Sequence, residues 1–412
     1  MKIIGKLNLS GRPFAGLYIN PASRFPARLA SVVLCAAVAL SFGGCHEISE
    51  EPVTGTTDSV VISPEIIEGE FVSPVYDNLN DEEKQLYDKI REAVEKFDES
   101  VSFDAPVPRD TVRKIYKLVY AQERQLFWFS NVFYAPEKEI SVYTLSYLFT
   151  KDAASVMRAE LDLAASEIIN GLPNNADVFD KLVYFHDRIV TGCEFSQTDV
   201  NSSSAYGVLV EGVGQCEGYA AAMAFLCNEA GIPNYMVTGC DANGATHAWN
   251  KVVLDGEWYN VDCTWDDPIL KRGQKDFVRH DYMLVTDAEI EGITHFTDEE
   301  LYSGIPQCTA AEGNYFAHKG LVYNTAAEAM EAMREQVKSA GLAGKRETEF
   351  RLSDENEYFA VLARLIDNGE MKDIIEDING EYGTKIRSAY RHNNDKLHII
   401  HLSLIYEQDK QG

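Results

Sequence analysis

The stretch from Gly212 to Val261 constrains the fold most, because it places a strong helix and a tight hairpin one after the other. Gly212 and Gly214 break the preceding segment, and the alanine-rich run 220–229 predicts a helix. The alternating residues after position 247 and the Asp255-Gly256 pair predict two antiparallel strands joined by a tight turn. A helix packed on an antiparallel sheet is therefore expected, which is an α+β fold.

Three polar residues stand where this local structure would give them chemistry. Cys216 lies near the predicted helix N-terminus, where the positive end of the helix dipole favours a thiolate. Pairing about the Asp255-Gly256 turn sets His247 opposite Asp262, or within one or two residues of it. The three together form a nucleophile, a base and a group that orients the base. Structural roles for a buried cysteine, a strand histidine and a strand-end aspartate are the alternative.

The motifs that contain these residues resemble the transglutaminase-like superfamily, particularly its exported bacterial members. They are GQCEGYA at 214–220, HAWN at 247–250 and WYNVDCTWDDP at 258–268. The flanking runs FHD at 185–187 and YMLVTD at 282–287, with His295, also resemble that group, so that the similarity covers about residues 176–300. The resemblance implies a papain-like core in which Cys216 is the nucleophile, His247 the general base and acid, and Asp262 the orienting residue.

Further site residues follow from the resemblance rather than from the pattern. It implies an oxyanion donor upstream of the cysteine, for which Tyr206 is the candidate, with a core tyrosine as the alternative. Trp249, Trp265 and Tyr219 are candidates for walls of a substrate groove, and core positions are again the alternative. The mechanism requires no cofactor.

No metal site is predicted. Asp241-x-Asn243-Gly244 begins like a calcium loop, but Val252 stands where the closing glutamate should be. Neither a CxxC motif nor Cys/His spacing typical of zinc is present. Six cysteines follow Cys45, and one working thiol would leave five, which cannot all form pairs. At least one free thiol is therefore expected.

The charge of the chain excludes one class of partner. There are 37 Lys and Arg residues against 65 Asp and Glu residues, giving a net charge of -28. So acidic a protein repels phosphate backbones, and the sequence has no extended basic patch. Nucleic acid is not an expected partner.

The first 45 residues have the pattern of an export signal. An uncharged apolar run at 29–42 follows five basic residues and precedes Gly43-Gly44-Cys45. Residues 1–44 therefore resemble a lipoprotein-type signal peptide, with Cys45 as the lipidated residue that anchors an exported protein to the membrane at the cell surface or in the periplasm. An ordinary secretory signal or an uncleaved anchor is the alternative. Acidic residues 45–75 predict a flexible tether.

Three regions are predicted after the tether. Residues 76–172 are expected to form a smaller N-terminal α+β module, 173–310 the catalytic domain, and 311–412 a smaller C-terminal α+β module. The aromatic runs 126–129 and 140–149 and the short run 314–317 are predicted to be strands. His186, inside a predicted helix, is interpreted as a hydrogen-bonded helix residue.

Three functions fit these patterns. The first is an exported cysteine peptidase or amidase that hydrolyses peptide or isopeptide bonds of a peptide or protein substrate, possibly a cell-wall peptide. The second is a transamidase that joins glutamine to an amine, on the family name alone. The third is a catalytically inactive binding module at the cell surface, and the presence of all three motif residues argues against it.

Overall fold

The computed structural model describes residues 73–267, 277–366 and 368–409. The predicted signal peptide, Cys45 and nearly all of the predicted tether lie outside these residues. The described residues fall within one compact unit. None of the helices in these ranges is both long and apolar enough to cross a membrane.

The region before residue 173 packs helices against a two-stranded antiparallel sheet of β1 and β2. Its elements are α1 (Pro74–Asp77), α2 (Asp81–Lys96), β1 (Ser100–Pro108), α3 (Arg109–Gln122), β2 (Glu139–Thr144) and α4 (Lys151–Asn170). The prediction of a strand over 126–129 is wrong, because Phe127 and Trp128 lie in a turn and only Phe129, 1% exposed, forms an isolated antiparallel bridge, with Tyr147. Aromatic residues satisfy burial in a turn as well as in a strand.

In the central region, the buried helix α6 packs against a five-stranded antiparallel sheet of order β8-β7-β6-β5-β9. A π-helix (Gly207–Glu211) lies between β3 and β4. The elements are α5 (Val178–Gly192), β3 (Glu194–Phe195), β4 (Val213–Gly214), α6 (Cys216–Glu229), β5 (Asn234–Asp241), β6 (Thr246–Leu254), β7 (Glu257–Val261), α7 (Cys263–Asp266), β8 (Met283–Val285), α8 (Asp287–Ile290), β9 (His295–Thr297) and α9 (Glu299–Tyr302). The α+β fold class is confirmed, because α6 carries Cys216 and packs on the strand that carries His247.

The region after residue 310 forms a four-stranded sheet of order β10-β11-β13-β12 with helices against it. Its elements are α10 (Tyr315–His318), β10 (Val322–Tyr323), α11 (Ala326–Ala343), β11 (Glu347–Leu352), α12 (Glu355–Ile366), α13 (Glu370–Tyr382), β12 (Ile386–Asn394) and β13 (Ile399–Tyr406). The strand prediction for 314–317 is wrong, because Asn314 accepts a hydrogen bond from Phe316 N–H and caps a helical turn.

Two apolar cores hold these regions. The larger one takes in the region before residue 173 together with α6 and its sheet, and it also includes Leu397 and Ile399 of the last region. The smaller one lies between Ala329 and Tyr406. The division of the described chain into three modules stays a prediction.

A buried network of histidines and carboxylates joins the last region to the core. Each of three histidines has a carboxylate at both ring nitrogens. His186 lies 3.0 Å from Asp187 and 3.1 Å from Asp266, His280 lies 2.7 Å from Glu349 and 3.0 Å from Asp187, and His401 lies 2.6 Å from Asp281 and 3.2 Å from Glu349. The interpretation of His186 as a hydrogen-bonded helix residue agrees with this arrangement. Glu349 on β11 belongs to the last region, so these ion pairs tie it to the core.

His280 makes this attachment dependent on pH. Burial lowers its pKa, but the Glu349 and Asp187 carboxylates overcome that effect and raise the pKa of His280 to about 10. A histidine whose pKa is raised on folding stabilises the protein below its unfolded pKa of about 6.5 and loses that contribution as the pH rises towards 10.

We therefore expect His280→Gln to lower the free energy of unfolding at pH 6 by about 3 kcal/mol, the size seen when one partner of a buried ion pair is removed. The variant's stability should also change less between pH 7 and pH 10 than that of the unmodified protein. Urea denaturation at a series of pH values measures both effects. His318→Gln is the matched control, because His318 is exposed. If the stability of His280→Gln depended on pH as strongly as that of the unmodified protein, this would contradict a charged His280.

Candidate active site

Cys216 occupies the first position of α6. Gly212, with φ of 70°, ends the π-helix, and Gln215 is extended, so that the helix begins at Cys216. The backbone N–H groups of a first helical turn have no acceptor within the helix, and the positive end of the dipole faces any charge placed there. The side chain of Cys216 is partly exposed, and a reactant can reach it.

The start of α6 is held in place by close contacts. Gln215 N–H donates to the Ser202 carbonyl at 2.9 Å. The Asn250 side-chain amide of β6 donates to the Ala220 carbonyl at 2.9 Å, one turn after Cys216. Ala121, Ala220 and Ala248 pack together, and such small side chains permit close approach of α3, α6 and β6. These contacts fix the position of α6 relative to the sheet near Cys216.

The hairpin of β6 and β7 brings His247 to Asp262, as predicted. Asp255 and Gly256 both have positive φ, 52° and 86°, which the tight turn between right-handed twisted strands requires. His247 Nε2 lies 2.6 Å from Asp262 Oδ2. Cys216 is near enough to the same imidazole to raise its pKa. Because Nε2 faces Asp262, Nδ1 is the ring nitrogen left to exchange a proton with the thiol.

Asp262 is the centre of the site. It is 2% exposed, and its Oδ1 accepts the backbone N–H groups of Thr264 at 2.9 Å and Trp265 at 3.2 Å, capping α7. Its Oδ2 lies 2.8 Å from Nε2 of His295 as well as 2.6 Å from His247. Four bonds therefore fix the carboxylate in one orientation.

The electrostatics keep a proton on His247. Burial lowers the pKa of this histidine, but the Asp262 carboxylate and the hydrogen bond to Cys216 raise it to about 10. Burial raises the pKa of Asp262, but its bonds to His247 and His295 hold that pKa well below the usual range. The site therefore favours an imidazolium held between a carboxylate and a thiol.

The cysteines differ in access. All six that the structure describes are free thiols, in agreement with the expectation of at least one. Cys216 and Cys240 are partly exposed, and the other four are buried. Burial raises the pKa of Cys227 and of Cys263 above the ordinary value for a thiol. These buried thiols are unfavourable positions for a thiolate.

The remaining predicted site residues fall in different places. Trp249 and Tyr219 are buried, 1% and 0% exposed, and the predicted groove-wall role is corrected for both, because their rings are packed in the core. Trp265 is half-buried, with its ring 5.8 Å from that of His247, and its groove role stays a prediction. The Tyr206 hydroxyl donates to Glu160 at 2.6 Å. This bond engages the hydroxyl with a carboxylate of α4 and argues against the oxyanion role.

The pattern-based reasoning missed the contact of His295 with Asp262. His295 lies 33 residues downstream, on β9, which pairs with β5 at the edge of the sheet. The resemblance named this histidine without giving it a partner. No local signal could supply one, because β9 is only three residues long.

Two groups of side chains have the composition of metal ligands. One is His247, Asp262 and His295, and the other is His186, Asp187 and His280, each with its ligand atoms within 4.8 Å of one another. In both groups the ring nitrogens already face carboxylates, the Cys216 thiol or, for Nδ1 of His295, the Thr294 hydroxyl at 2.8 Å. Both groups are therefore hydrogen-bonded networks.

Comparison with known proteins agrees with this arrangement. Residues 164–263 match the model of the transglutaminase-like superfamily. That range holds α6, the hairpin and all three of Cys216, His247 and Asp262. The resemblance seen in the motifs is confirmed, and this part of the chain is a transglutaminase-like core.

Individual relatives match over short stretches. The kyphoscoliosis peptidases of Mus musculus and Homo sapiens are each 29% identical over 124 residues, which is 26% of this chain and 19% of theirs. The chain thus spans about a fifth of the length of the curated relatives it matches. A solved structure described as a TGase is 20% identical, covers 33% of this chain and 43% of its own, and has a TM-score of 0.24.

Proposed function

We propose that this protein is a cysteine peptidase or amidase that hydrolyses peptide or isopeptide bonds through an acyl-enzyme on Cys216. One observation carries the proposal: His247 lies between the Cys216 thiol and the buried Asp262 carboxylate, 2.6 Å from the latter. A nucleophile, a base and a group that orients the base are what acyl transfer requires. Both curated relatives are named as peptidases, which points the same way.

The geometry supports the following sequence of proton and bond transfers. Cys216 reacts as the thiolate of a thiolate–imidazolium pair: its proton is held on Nδ1 of His247, and the thiolate sulfur attacks the carbonyl carbon of the substrate. The resulting oxyanion meets backbone N–H groups at the start of α6. His247 then returns the proton to the departing amine, and the C–N bond breaks. A thioester on Cys216 remains.

The second half-reaction decides between hydrolysis and transamidation. Water that gives a proton to His247 and attacks the thioester releases a carboxylic acid and restores the thiol. An amine that attacks in the same way forms a new amide instead. Partial exposure of Cys216 gives either reactant access to the thioester, and the names of the curated relatives as peptidases favour hydrolysis.

Chemical labelling tests the proposal directly. Purified protein is treated with iodoacetamide at pH 6, and the labelled cysteines are located by mass spectrometry. We expect Cys216 to be alkylated much faster than Cys240, the other partly exposed thiol, which is the internal control. His247→Ala should abolish this difference. Equal labelling of both thiols would reject the proposal and favour the binding-module reading.

Acyl transfer is followed with p-nitrophenyl acetate. An initial burst of nitrophenolate with an acetyl group on Cys216 is the expected result. The acetyl-enzyme is then chased in buffer with or without an added primary amine. Release of acetate at the same rate in both supports the hydrolase, whereas N-acetylated amine as the main product would make the protein a transamidase.

The Tyr206→Phe variant tests whether Tyr206 is an oxyanion donor or a core tyrosine. Because the hydroxyl donates to Glu160, we expect less than about threefold change in the acetylation rate and a loss of stability of about 1 kcal/mol. Burst kinetics and urea denaturation provide the two measurements. Removal of a true oxyanion donor costs about 10²–10³-fold in rate, so a loss of that size would restore the oxyanion role.

We further propose that the enzyme is exported and anchored by lipid at Cys45, as the first 45 residues predict. Expression of the full chain in a bacterial host with labelled palmitate should give a labelled membrane protein. Cys45→Ala should lose the label. A labelled Cys45→Ala protein would reject this anchor.

A further inference from the structure

A cavity of about 200 Å³ lies between the region before residue 173 and the loop of residues 200–204. One wall comes from the region before residue 173 and includes Tyr120, Arg124 and Phe127, and the opposite wall comes from the loop that contains Ser203. Gln215, which directly precedes Cys216, donates its side-chain amide to the Ser203 hydroxyl. This bond connects the wall of the cavity to the residue before the proposed nucleophile.

Arg124 brings a buried positive charge to this cavity. The residue is 4% exposed, and its guanidinium lies over the ring of Tyr120, 4.6 Å from the centroid. Nη1 donates to the Tyr120 carbonyl and Nη2 to the Ser203 carbonyl. Nε is buried and has no hydrogen-bond partner. Both acceptors are therefore neutral, and the two bonds use only two of the five guanidinium N–H groups.

The nearest acid along the chain is engaged elsewhere. Glu123 also lines the cavity, but its Oε1 accepts the Tyr87 hydroxyl at 2.7 Å and its Oε2 accepts the Gln125 amide at 2.6 Å. No carboxylate among the residues in the three described ranges forms an ion pair with Arg124. A guanidinium stays charged, and burial of a charge without an opposite partner is costly.

We infer that this Arg124 cavity is a substrate subsite that binds a carboxylate next to the bond being cleaved. A carboxylate would supply the missing counter-charge and accept guanidinium N–H groups that the two carbonyls leave free, with a planar geometry that matches guanidinium. The rings of Tyr120 and Phe127 offer apolar surface to the stem of such a group. The inference rests on the proposed function and makes the preferred substrate an acidic peptide.

Peptidyl vinyl sulfones test this inference, because the peptide part first binds in the substrate site and the vinyl sulfone then alkylates the nearby cysteine. One set carries Glu or Gln at one peptide position at a time, and a second set carries a carboxylate or a carboxamide on the sulfonyl substituent. The sets distinguish a side-chain carboxylate from a carboxylate on the leaving-group side. The rate of Cys216 labelling is measured by mass spectrometry on the full chain.

We expect one carboxylate probe to label Cys216 at least about tenfold faster than its neutral counterpart, as a charge-assisted hydrogen bond would provide. Arg124→Gln should reduce that ratio to below about threefold, and Arg124→Lys should keep part of it. Arg113→Gln, on the same helix α3 with a half-exposed side chain, is the matched control and should keep the full ratio.

The outcomes separate the two proposals. Labelling that depends on His247 but shows no carboxylate preference overturns the subsite and leaves the thiol enzyme standing. A preference that survives in a folded Arg124→Gln protein overturns the assignment to Arg124. If Arg124→Gln does not fold, the ratio of labelling rates for the paired probes on the unmodified protein decides whether the carboxylate subsite exists. No labelling of Cys216 by any probe overturns both proposals.

Discussion

Asp262→Asn is expected to lower the rate of Cys216 acetylation by p-nitrophenyl acetate by about 10³–10⁴-fold, the size of the loss when the orienting carboxylate of a triad is replaced by an amide. Asn has one carbonyl oxygen in place of two carboxylate oxygens. If that oxygen caps Thr264 and Trp265, an NH₂ group faces His247 and His295. His247 must then accept at Nε2 and carry its proton on Nδ1, where it cannot take the proton of the thiol.

A pH profile identifies this cause. With Asp262 present, the pKa of His247 is raised to about 10, so the imidazolium persists into alkaline solution. Without the carboxylate, the main cause that raises this pKa is lost and only Cys216 still opposes the effect of burial, so the pKa falls. The alkaline limb of the acetylation profile should therefore move to lower pH by about one to three units, the size of shift that a neighbouring charge causes.

Asp298→Asn is the matched control for this variant. Asp298 also caps a short helix, α9, by accepting Glu300 N–H at 3.2 Å, but it contacts no imidazole among the described residues. Its replacement should leave both the rate and the pH profile intact. Loss of rate in Asp262→Asn with an unchanged alkaline limb would assign Asp262 a structural role only.

Gly218→Ala is expected to lower the free energy of unfolding by about 2–4 kcal/mol and the acetylation rate by about 100-fold. Gly218 is the third residue of α6, and a Cβ there would lie 2.1 Å from the Ser202 carbonyl oxygen. That carbonyl already accepts Gln215 N–H. The helix start must move to make room, and Cys216 moves with it.

Urea denaturation and burst kinetics measure these two effects. Gly380→Ala is the control, because Gly380 lies within α13 and a Cβ there meets nothing within 4 Å. That change should be neutral or stabilise the protein by about 0.5–1 kcal/mol. A fully stable and active Gly218→Ala protein would show that the start of α6 tolerates displacement.

Much of the site was predictable because its structure is local. The α6 helix begins at Cys216 since glycines interrupt the chain before it, and the Asp255-Gly256 turn fixes the strand register that brings His247 to Asp262. Both are decided by residues within a few positions of the element they control. The catalytic roles of the three residues stay predictions until the variants are measured.

Predictions that depended on burial were less accurate. Aromatic residues predict strands at 126–129 and 314–317, whereas Phe127 and Trp128 lie in a turn, Phe129 forms a single bridge with Tyr147, and Tyr315 begins helix α10. The sequence did not distinguish Trp249 as a groove wall from Trp249 as a core residue, and the structure buries it. Aromatic side chains gain from burial in any backbone conformation, so their presence does not specify which one.

By itself, the sequence determined the helix that carries Cys216, the hairpin that brings His247 to Asp262, and the resemblance to the transglutaminase-like superfamily, which the family model matches over residues 164–263. Only the tertiary structure showed that His295 contacts Asp262, that the Tyr206 hydroxyl donates to Glu160 and that Arg124 donates to the Ser203 carbonyl. These contacts join residues 33, 46 and 79 positions apart. Turns and helix ends are set by neighbouring residues, whereas the partner of a buried polar group is set by which elements the apolar core brings together.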